Sequence, residues 1–251
     1  MNGELWRDVA ARLRDEIVSG AYQPGDTVPG EFDLAEQSGV SRDTARRALT
    51  ALTQEGLLTA GRGRLGRQVR DSKPLVFYAV HSESRDRAGQ RRDLGTDAWV
   101  TDAAEQGRLA GQKISVAIED AGKDMARRLE IAPGAGVVVR RRLRTLDGVP
   151  HDLADTYYPA DIAEGTPIAH PADVTQGVIA LMADLGYVQV RFEDEVGARM
   201  PTPAEAQALR MPPGVPVLVQ YRTGWTETRP VKVTVTIWPA DRVRLLWQFE
   251  G

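Results

Sequence analysis

The stretch that decides the fold is GEFDLAEQSGVSRDTARRALTALTQEGLLTAGRGRLGRQV, residues 30–69. Its apolar residues recur at the spacing of three and four that predicts helices, and the spacing breaks at Gly39 and Gly56. We therefore predict two short helices joined by a tight turn, followed by a hairpin. The apolar positions are Leu34, Ala35, Val40, Ala45, Ala48, Leu49, Leu52, Leu57 and Leu58.

Positive charge is concentrated in the same stretch. The chain of 251 residues has a formal net charge of −3, which argues against a generally basic surface. From Ser41 to Arg70, however, seven arginines face only Asp43 and Glu55, whereas residues 1–40 hold three arginines and eight acids. Two helices, a turn and a basic hairpin in this order predict a winged helix-turn-helix that binds DNA.

The flanking sequence completes this domain. Leu5, Val9, Leu13 and Ile17 recur every four residues and predict a first helix that packs on the core. The segment Pro29-Gly30-Glu31 predicts the start of the second helix.

The third helix is predicted to begin at Ser41, whose hydroxyl caps the backbone N–H of Thr44. Its first turns carry Arg42 and Arg46, which we predict to contact base edges, and Arg47, which we assign to a phosphate. Glycines in the hairpin Gly61-Arg62-Gly63-Arg64 permit a tight wing turn, from which arginines reach the backbone or minor groove. The predicted DNA contacts are Ser41, Arg42, Thr44, Arg46, Arg47, Arg62, Gly63 and Arg64.

Residues 21–58, AYQPGDTVPGEFDLAEQSGVSRDTARRALTALTQEGLL, resemble the DNA-binding domain of the GntR family of bacterial transcription regulators. The similarity covers about the first seventy residues. It implies that Arg42, Thr44 and Arg46 occupy that family's major-groove positions and that Arg62-Gly63 forms its wing tip.

The second half of the chain contains an internal repeat at an offset of 80 positions. For example, Leu129, Pro133 and Gly134 return as Leu209, Pro213 and Gly214. Each copy predicts a helix (123–130 and 203–210), a Pro-Gly turn and two antiparallel strands that meet at 147–148 or 227–228. We expect the strands of both copies to merge into one antiparallel sheet of an α+β domain.

This region, about residues 94–250, resembles the UTRA ligand-sensing domain and places the chain near the HutC subfamily. The resemblance implies a fold like that of chorismate lyase, an effector cleft near the sheet, and dimerisation through this domain. The predicted domains are a DNA-binding domain at 1–70, a linker at 71–93 and an effector-binding and dimerisation domain at 94–251. Within the linker, residues 75–80 are compatible with a strand.

Arginines crowd one predicted strand of the effector domain. Strand alternation places Arg140, Arg142 and Arg144 on one face, where like charges repel unless an anion meets them. Related sugar-phosphate sensors hold a phosphate at the positions of Arg142 and Arg144, but pairing with Asp152, Asp155 or Glu193 explains the arginines equally well. Because other positions depart from the sugar-phosphate pattern, we expect a different organic effector, anionic or amphipathic. Its predicted contacts are Arg142, Arg144, Asp152, Tyr157 and Trp99.

Composition excludes several functional classes. The chain has no cysteine and three scattered histidines, so we expect no metal site, no cofactor and no thiol nucleophile. No acid–base pair or nucleophile motif supports a lyase or hydrolase, and no apolar run approaches the roughly 20 residues of a membrane span.

We therefore predict a cytoplasmic, homodimeric transcription regulator. We expect it to act as a repressor on a two-fold symmetric double-stranded operator and to be released by a small-molecule effector. An architectural or plasmid-maintenance DNA-binding protein without an effector is the alternative that the sequence leaves open.

Overall fold

The computed structural model describes residues 5–59, 61, 66–70, 75–78, 98–174 and 176–247. It divides into two compact units, Met1–Lys73 with Met200–Pro216, and Pro74–Arg199 with Val217–Gly251. Most of the predicted linker, residues 79–93, lies outside the described residues. The division into domains at 1–70, 71–93 and 94–251 stays a prediction.

The first unit is built on three helices, α1 (Leu5–Val18), α2 (Glu31–Ser38) and α3 (Arg42–Gln54). The helices enclose one core of aliphatic side chains, as their predicted apolar spacing requires. Gly39 ends α2 in the left-handed conformation, with φ of 63°, which makes the turn into α3. The core residues are Val9, Ala10, Leu13, Val28, Leu34, Ala35, Ala45, Ala48, Leu49, Leu52, Leu58 and Val69.

The base of the predicted wing is formed by short antiparallel bridges. Leu58 pairs with Val69, and Thr27 pairs with Gln68. The tip, with Arg62, Gly63 and Arg64, lies outside the described residues.

The segment Met200–Pro216 also belongs to the first unit. It contains a short helix, Pro203–Ala208, which begins with a reciprocal capping box between Thr202 and Glu205. Gly214, with φ of 82°, lies so close to the end of α3 that an added Cβ would stand 2.5 Å from the Gln54 carbonyl oxygen. Glycine is required there by both conformation and space.

The second unit contains a six-stranded antiparallel sheet in the order β2-β3-β4-β7-β6-β5. The strands are β2 (Ala110–Asp120), β3 (Gly136–Leu146), β4 (Val149–Pro159), β5 (Arg191–Arg199), β6 (Val217–Trp225) and β7 (Pro230–Pro239). Two further strands, β1 (Leu75–Tyr78) and β8 (Val243–Leu246), pair in parallel with each other.

The sheet confirms the internal repeat. The strand order is symmetric about the β4–β7 pair, where Asp155 lies opposite Val235, its own equivalent 80 positions later. Each copy contains one more strand than we predicted, since β2 and β5 precede the two repeat helices. The alternation of Ile114, Val116 and Ile118 in β2 is a strand signal that we missed in the sequence.

Helices cover both faces of the sheet. The helix of the first repeat, α5 (Lys123–Leu129), packs on one face against Val137, Val139 and Val233. The other face is covered by α6 (Ala160–Ala163), a 3-10 turn (Pro167–Ala169) and α7 (Val178–Asp184), and near the β3–β4 turn by α4 (Ala98–Glu105). None of the described helices has the length and hydropathy to cross a bilayer.

Candidate nucleic-acid interface and ligand site

The start of α3 has the predicted cap. The Ser41 hydroxyl accepts a hydrogen bond from the Thr44 backbone N–H at 3.2 Å, and the two hydroxyls lie 2.8 Å apart. The cap satisfies one of the free backbone donors at the helix N-terminus and fixes where the helix begins. The arginines that follow are therefore placed on its first turns.

Arg42 and Arg46 project from these turns and are 74% and 60% exposed. In the part of the chain that the structure describes, each has one ion-pair partner: Arg42 Nε lies 3.5 Å from Glu31 Oε2, and Arg46 pairs with Asp43. Ion pairs at such exposed positions contribute about 0–1 kcal/mol, so a nucleic acid can displace them at little cost.

Glu31 is a residue of this surface that the sequence did not single out. Its carboxylate lies between Arg42 and Arg67, with 3.8 Å from Oε1 to Arg67 Nη1. It joins the recognition helix to the base of the wing. No sequence signal identifies this bridge, because the three residues come together only when α2, α3 and the hairpin pack.

Arg47 does not contact an acid in the described structure. Its guanidinium carbon lies 5.7 Å from the centre of the Trp6 ring, on α1. Arg70 differs from the exposed arginines, since it donates to the Gly56 carbonyl oxygen at 3.3 Å.

In the second unit, Arg140, Arg142 and Arg144 do lie on one face of the sheet, because β3 is regular up to the bulge that follows Arg144. Arg140 is buried and donates to three backbone oxygens, those of Ile168 (2.9 Å), His170 (2.6 Å) and Ala172 (3.0 Å). Its charge thus holds the chain after the 3-10 turn against the sheet.

The other two arginines have polar partners on the same face. Arg142 donates to the Thr156 hydroxyl at 2.6 Å. Arg144 Nη1 lies 3.6 Å from Oδ1 of Asp152, which is fully buried. Of the two explanations that the sequence left open, pairing with an internal carboxylate therefore applies to Arg144.

Trp99 and Asp152 belong to the same corner of the unit as Arg144. The Arg144 guanidinium lies 5.3 Å from the Trp99 ring centre, and Trp99 lies 5.3 Å from the His151 ring. His151 Nδ1 is 3.0 Å from Asp152 Oδ2. The structure thus brings four of the five predicted effector contacts to one face of the sheet.

Tyr157 does not join them. Strand alternation turns it to the opposite face, where it packs with the cluster beneath α5. Burial raises the pKa of its hydroxyl above the usual value. The structure therefore does not bring Tyr157 together with Arg142 and Arg144. Tyr157 pairs with Val139, and successive residues of a strand face opposite sides of the sheet.

The face also carries buried polar residues that we did not identify in the sequence. Gln220 on β6 is buried, and its Nε2 has no hydrogen-bond partner in the described part of the chain. The same holds for Gln189 Oε1, beside Gly224, where a Cβ would approach that oxygen to 2.4 Å. Strand register places Gln220 on the face of the arginines, and the close approach to Gly224 places Gln189 on that face too.

Comparisons with known families agree with this architecture. Residues 5–64 match the model of bacterial regulatory proteins of the gntR family, and residues 105–244 match the UTRA domain. The chain belongs to the GntR family. It is a transcription regulator with a UTRA effector-binding domain, which confirms the family, the α+β fold and the expectation that it is not an enzyme.

Several relatives are similar over nearly the whole chain. The HTH-type transcriptional regulator SCO4628 of Streptomyces coelicolor is 33% identical over 92% of this chain and 85% of its own length. The histidine utilization repressor of Pseudomonas putida is 28% identical, with 98% and 92% covered.

Solved structures show the same fold. One crystal structure of a GntR-family regulator matches with a TM-score of 0.64 at 26% identity, covering 98% of both chains. That of PhnF from Mycobacterium smegmatis gives 0.58 at 24% identity, covering 97% and 99%.

Proposed function

We propose that this GntR-family regulator is a cytoplasmic repressor that binds a two-fold symmetric operator as a homodimer. Paired recognition helices place Arg42, Thr44 and Arg46 in the major groove, where the two arginines contact base edges. Ser41 and Arg47 lie at the DNA backbone, and the wing residues Arg62, Gly63 and Arg64 reach the backbone or the minor groove. A small anionic or amphipathic effector in the UTRA domain releases the protein from DNA.

One observation carries the DNA-binding part of the proposal. The helix α3 is capped by Ser41, and its first two turns display two exposed arginines whose only ion-pair partners in the described structure are exposed or half-buried acids. Guanidinium groups at the N-terminal end of a recognition helix match the O6 and N7 acceptors of guanine in the major groove. Two such helices are required because one module distinguishes only a few base pairs.

The effector part is supported by the polar face of the sheet. Buried polar atoms that make no hydrogen bond cost about 1–3 kcal/mol each. Arg144 Nε, Gln220 Nε2 and Gln189 Oε1 make none within the described chain, and Asp152 Oδ1 has only its 3.6 Å ion pair with Arg144 Nη1. A ligand with both acceptors and donors removes this cost. We therefore place the effector on this face, against Arg142, Arg144, Asp152 and Trp99 and without Tyr157.

The contact between Gly214 and the end of α3 supports coupling between ligand and DNA. Residues 200–216 join β5 to β6, and within the first unit they pack against the C-terminus of the recognition helix. An effector shifts DNA binding only if it binds one arrangement better than another, with coupling energies of about 1–3 kcal/mol in typical cases.

The proposed two-fold symmetry of the operator is tested by selecting genomic DNA fragments that bind to the purified full-length protein and sequencing them. We expect an inverted repeat with half-sites about one helical turn, or a multiple of it, apart. Retained fragments without two-fold symmetry would contradict binding as a paired dimer.

The effector is tested by thermal unfolding with pools of organic acids and other small metabolites. A ligand that binds only the folded protein stabilises it by about 2.7 kcal/mol at 100 times its Kd, which raises the midpoint. An active pool should also release the selected operator, and Arg144→Ala should abolish both effects. Release by a pool that Arg144→Ala binds as well as the wild type does would contradict the assignment of the site.

A further inference from the structure

Two guanidinium groups lie over the ring of Trp6 on α1. Arg7 and Arg47 lie 5.5 and 5.7 Å from the centre of its ring, one contributed by α1 and the other by α3. Each distance is within the range of a cation–π contact, which contributes about 0.5–1 kcal/mol at an exposed site. The indole therefore restricts two side chains that otherwise move freely.

A groove of about 350 Å³ opens beside this stack. Its lining combines two cations, a hydroxyl, a carboxamide, an indole and a methyl group, and contains no carboxylate. The lining residues are Trp6, Arg46, Arg47, Thr50, Ala51 and Gln54.

The groove lies on the outward side of α3. Ala45, Ala48, Leu49 and Leu52 face the core, whereas Arg47, Thr50 and Gln54 are exposed. These exposed residues follow the first turns, which are the turns that contact base edges in recognition helices. With a rise of about 1.5 Å per residue, Gln54 lies roughly 18 Å along the axis from Arg42, farther than the major groove is wide (about 12 Å). The protein groove therefore extends from Arg46, on the turns that contact bases, toward the sugar–phosphate backbone at its Gln54 end.

The guanidinium groups of Arg7 and Arg47 contact the same ring and repel each other, so an anion bound between or beside them lowers the electrostatic energy. Arg46 is balanced by Asp43, but the groove lining itself supplies no counter-charge to Arg47. A phosphodiester supplies the negative charge and acceptors for guanidinium, hydroxyl and carboxamide, and its deoxyribose fits the apolar surface of Trp6 and Ala51.

We propose that Trp6, Arg7 and Arg47, with Thr50 and Gln54, form a binding site for one phosphate of the DNA backbone. Trp6 is a positioning residue in this site, because it fixes the rotamer of Arg47 before DNA arrives. The proposal rests on DNA binding by α3 and adds the backbone contact that sets how the helix enters the groove.

The test measures the Kd of the full-length protein for a random-sequence duplex and for the selected operator between 50 and 200 mM salt. The affinity of the wild type falls as the salt concentration rises across this range. In a variant, this fall should be smaller by a factor of about 3.5 for each phosphate contact that the variant has lost. In Arg47→Ala we expect this smaller salt dependence once for each DNA-binding domain of the dimer. The variant should also bind both duplexes more weakly by the same factor, because a phosphate contact carries no sequence information.

The variants of Trp6 separate positioning from general destabilisation. Trp6→Ala should reduce the salt dependence of binding as Arg47→Ala does. Added to Arg47→Ala, it should cause little further change. Trp6→Phe keeps an aromatic face and should retain most of the wild-type salt dependence. If Trp6→Ala unfolds, the proposal is still tested by Arg7→Ala and Arg47→Ala, because these variants change exposed side chains. Arg127→Ala removes a 67% exposed arginine of the other unit and should change nothing.

Several results would overturn the proposal. They are an unchanged salt dependence in Arg47→Ala, additive effects of Trp6→Ala and Arg47→Ala, or weakening confined to the operator. If the wild type still distinguishes operator from random DNA in such a case, only the phosphate site is wrong and the proposed function stands. A wild type that binds neither duplex would contradict both.

Discussion

Replacing Arg42 by alanine removes the more exposed of the two predicted base-contacting arginines. Among the described residues the change removes only the 3.5 Å ion pair with Glu31, which contributes about 0–1 kcal/mol, so the fold should be unaffected. A bidentate pair between arginine and guanine discriminates by about 1–3 kcal/mol, and a symmetric dimer makes it twice. The expected loss on the operator is therefore about 2–6 kcal/mol, or roughly 30-fold to 10⁴-fold in Kd.

The assay is fluorescence anisotropy with the selected operator and a random duplex of equal length at one salt concentration. On the random duplex Arg42→Ala loses only a non-specific charge interaction, so the preference for the operator, given by the ratio of the two Kd values, should fall sharply, with the part due to Arg46 retained. Mass measurement in solution should show an unchanged oligomer, and Arg127→Ala is the matched control. Equal weakening on both duplexes would refute the base-contacting role and assign Arg42 to a phosphate.

Three further changes test the structure around these sites. Ser41→Ala removes the cap of α3 and should destabilise the protein by about 1 kcal/mol, measured by urea unfolding, while Ser41→Asp should restore stability. Arg140→Met leaves three backbone oxygens without their charged donor and should cost about 1–3 kcal/mol or more in the same measurement, because a buried acceptor without a hydrogen bond destabilises the fold; a loss below 1 kcal/mol would contradict its role. Burial raises the pKa of Asp155 despite Arg141 nearby, so the ionised form destabilises the folded state as pH rises through and above the usual carboxyl range. Asp155→Asn should therefore raise the melting temperature at pH 7 and have little effect near pH 3, and the opposite order would contradict the raised pKa.

The local structure of the DNA-binding unit was predictable because its signals lie close together in the chain. The apolar spacing, the glycine at 39 and the serine at 41 specify the helices, the left-handed turn and the cap within a few residues of each other. The same holds for the repeat, whose turns and helices recur at a constant offset. The edge strand β5, which is mostly charged and exposed, carries no comparable signal and was missed.

The sequence by itself determined the α+β class, the family and the concentration of arginines in α3 and the hairpin, since these follow from periodicity, local caps and charge. Only the tertiary structure decided that Glu31 lies between Arg42 and Arg67, that Trp6 stacks on Arg47, and that Tyr157 faces away from Arg142. Each of these facts depends on packing or register between elements that are far apart in the chain. A shift of one residue in register would place every side chain of a strand on the other face, and no local pattern specifies that choice.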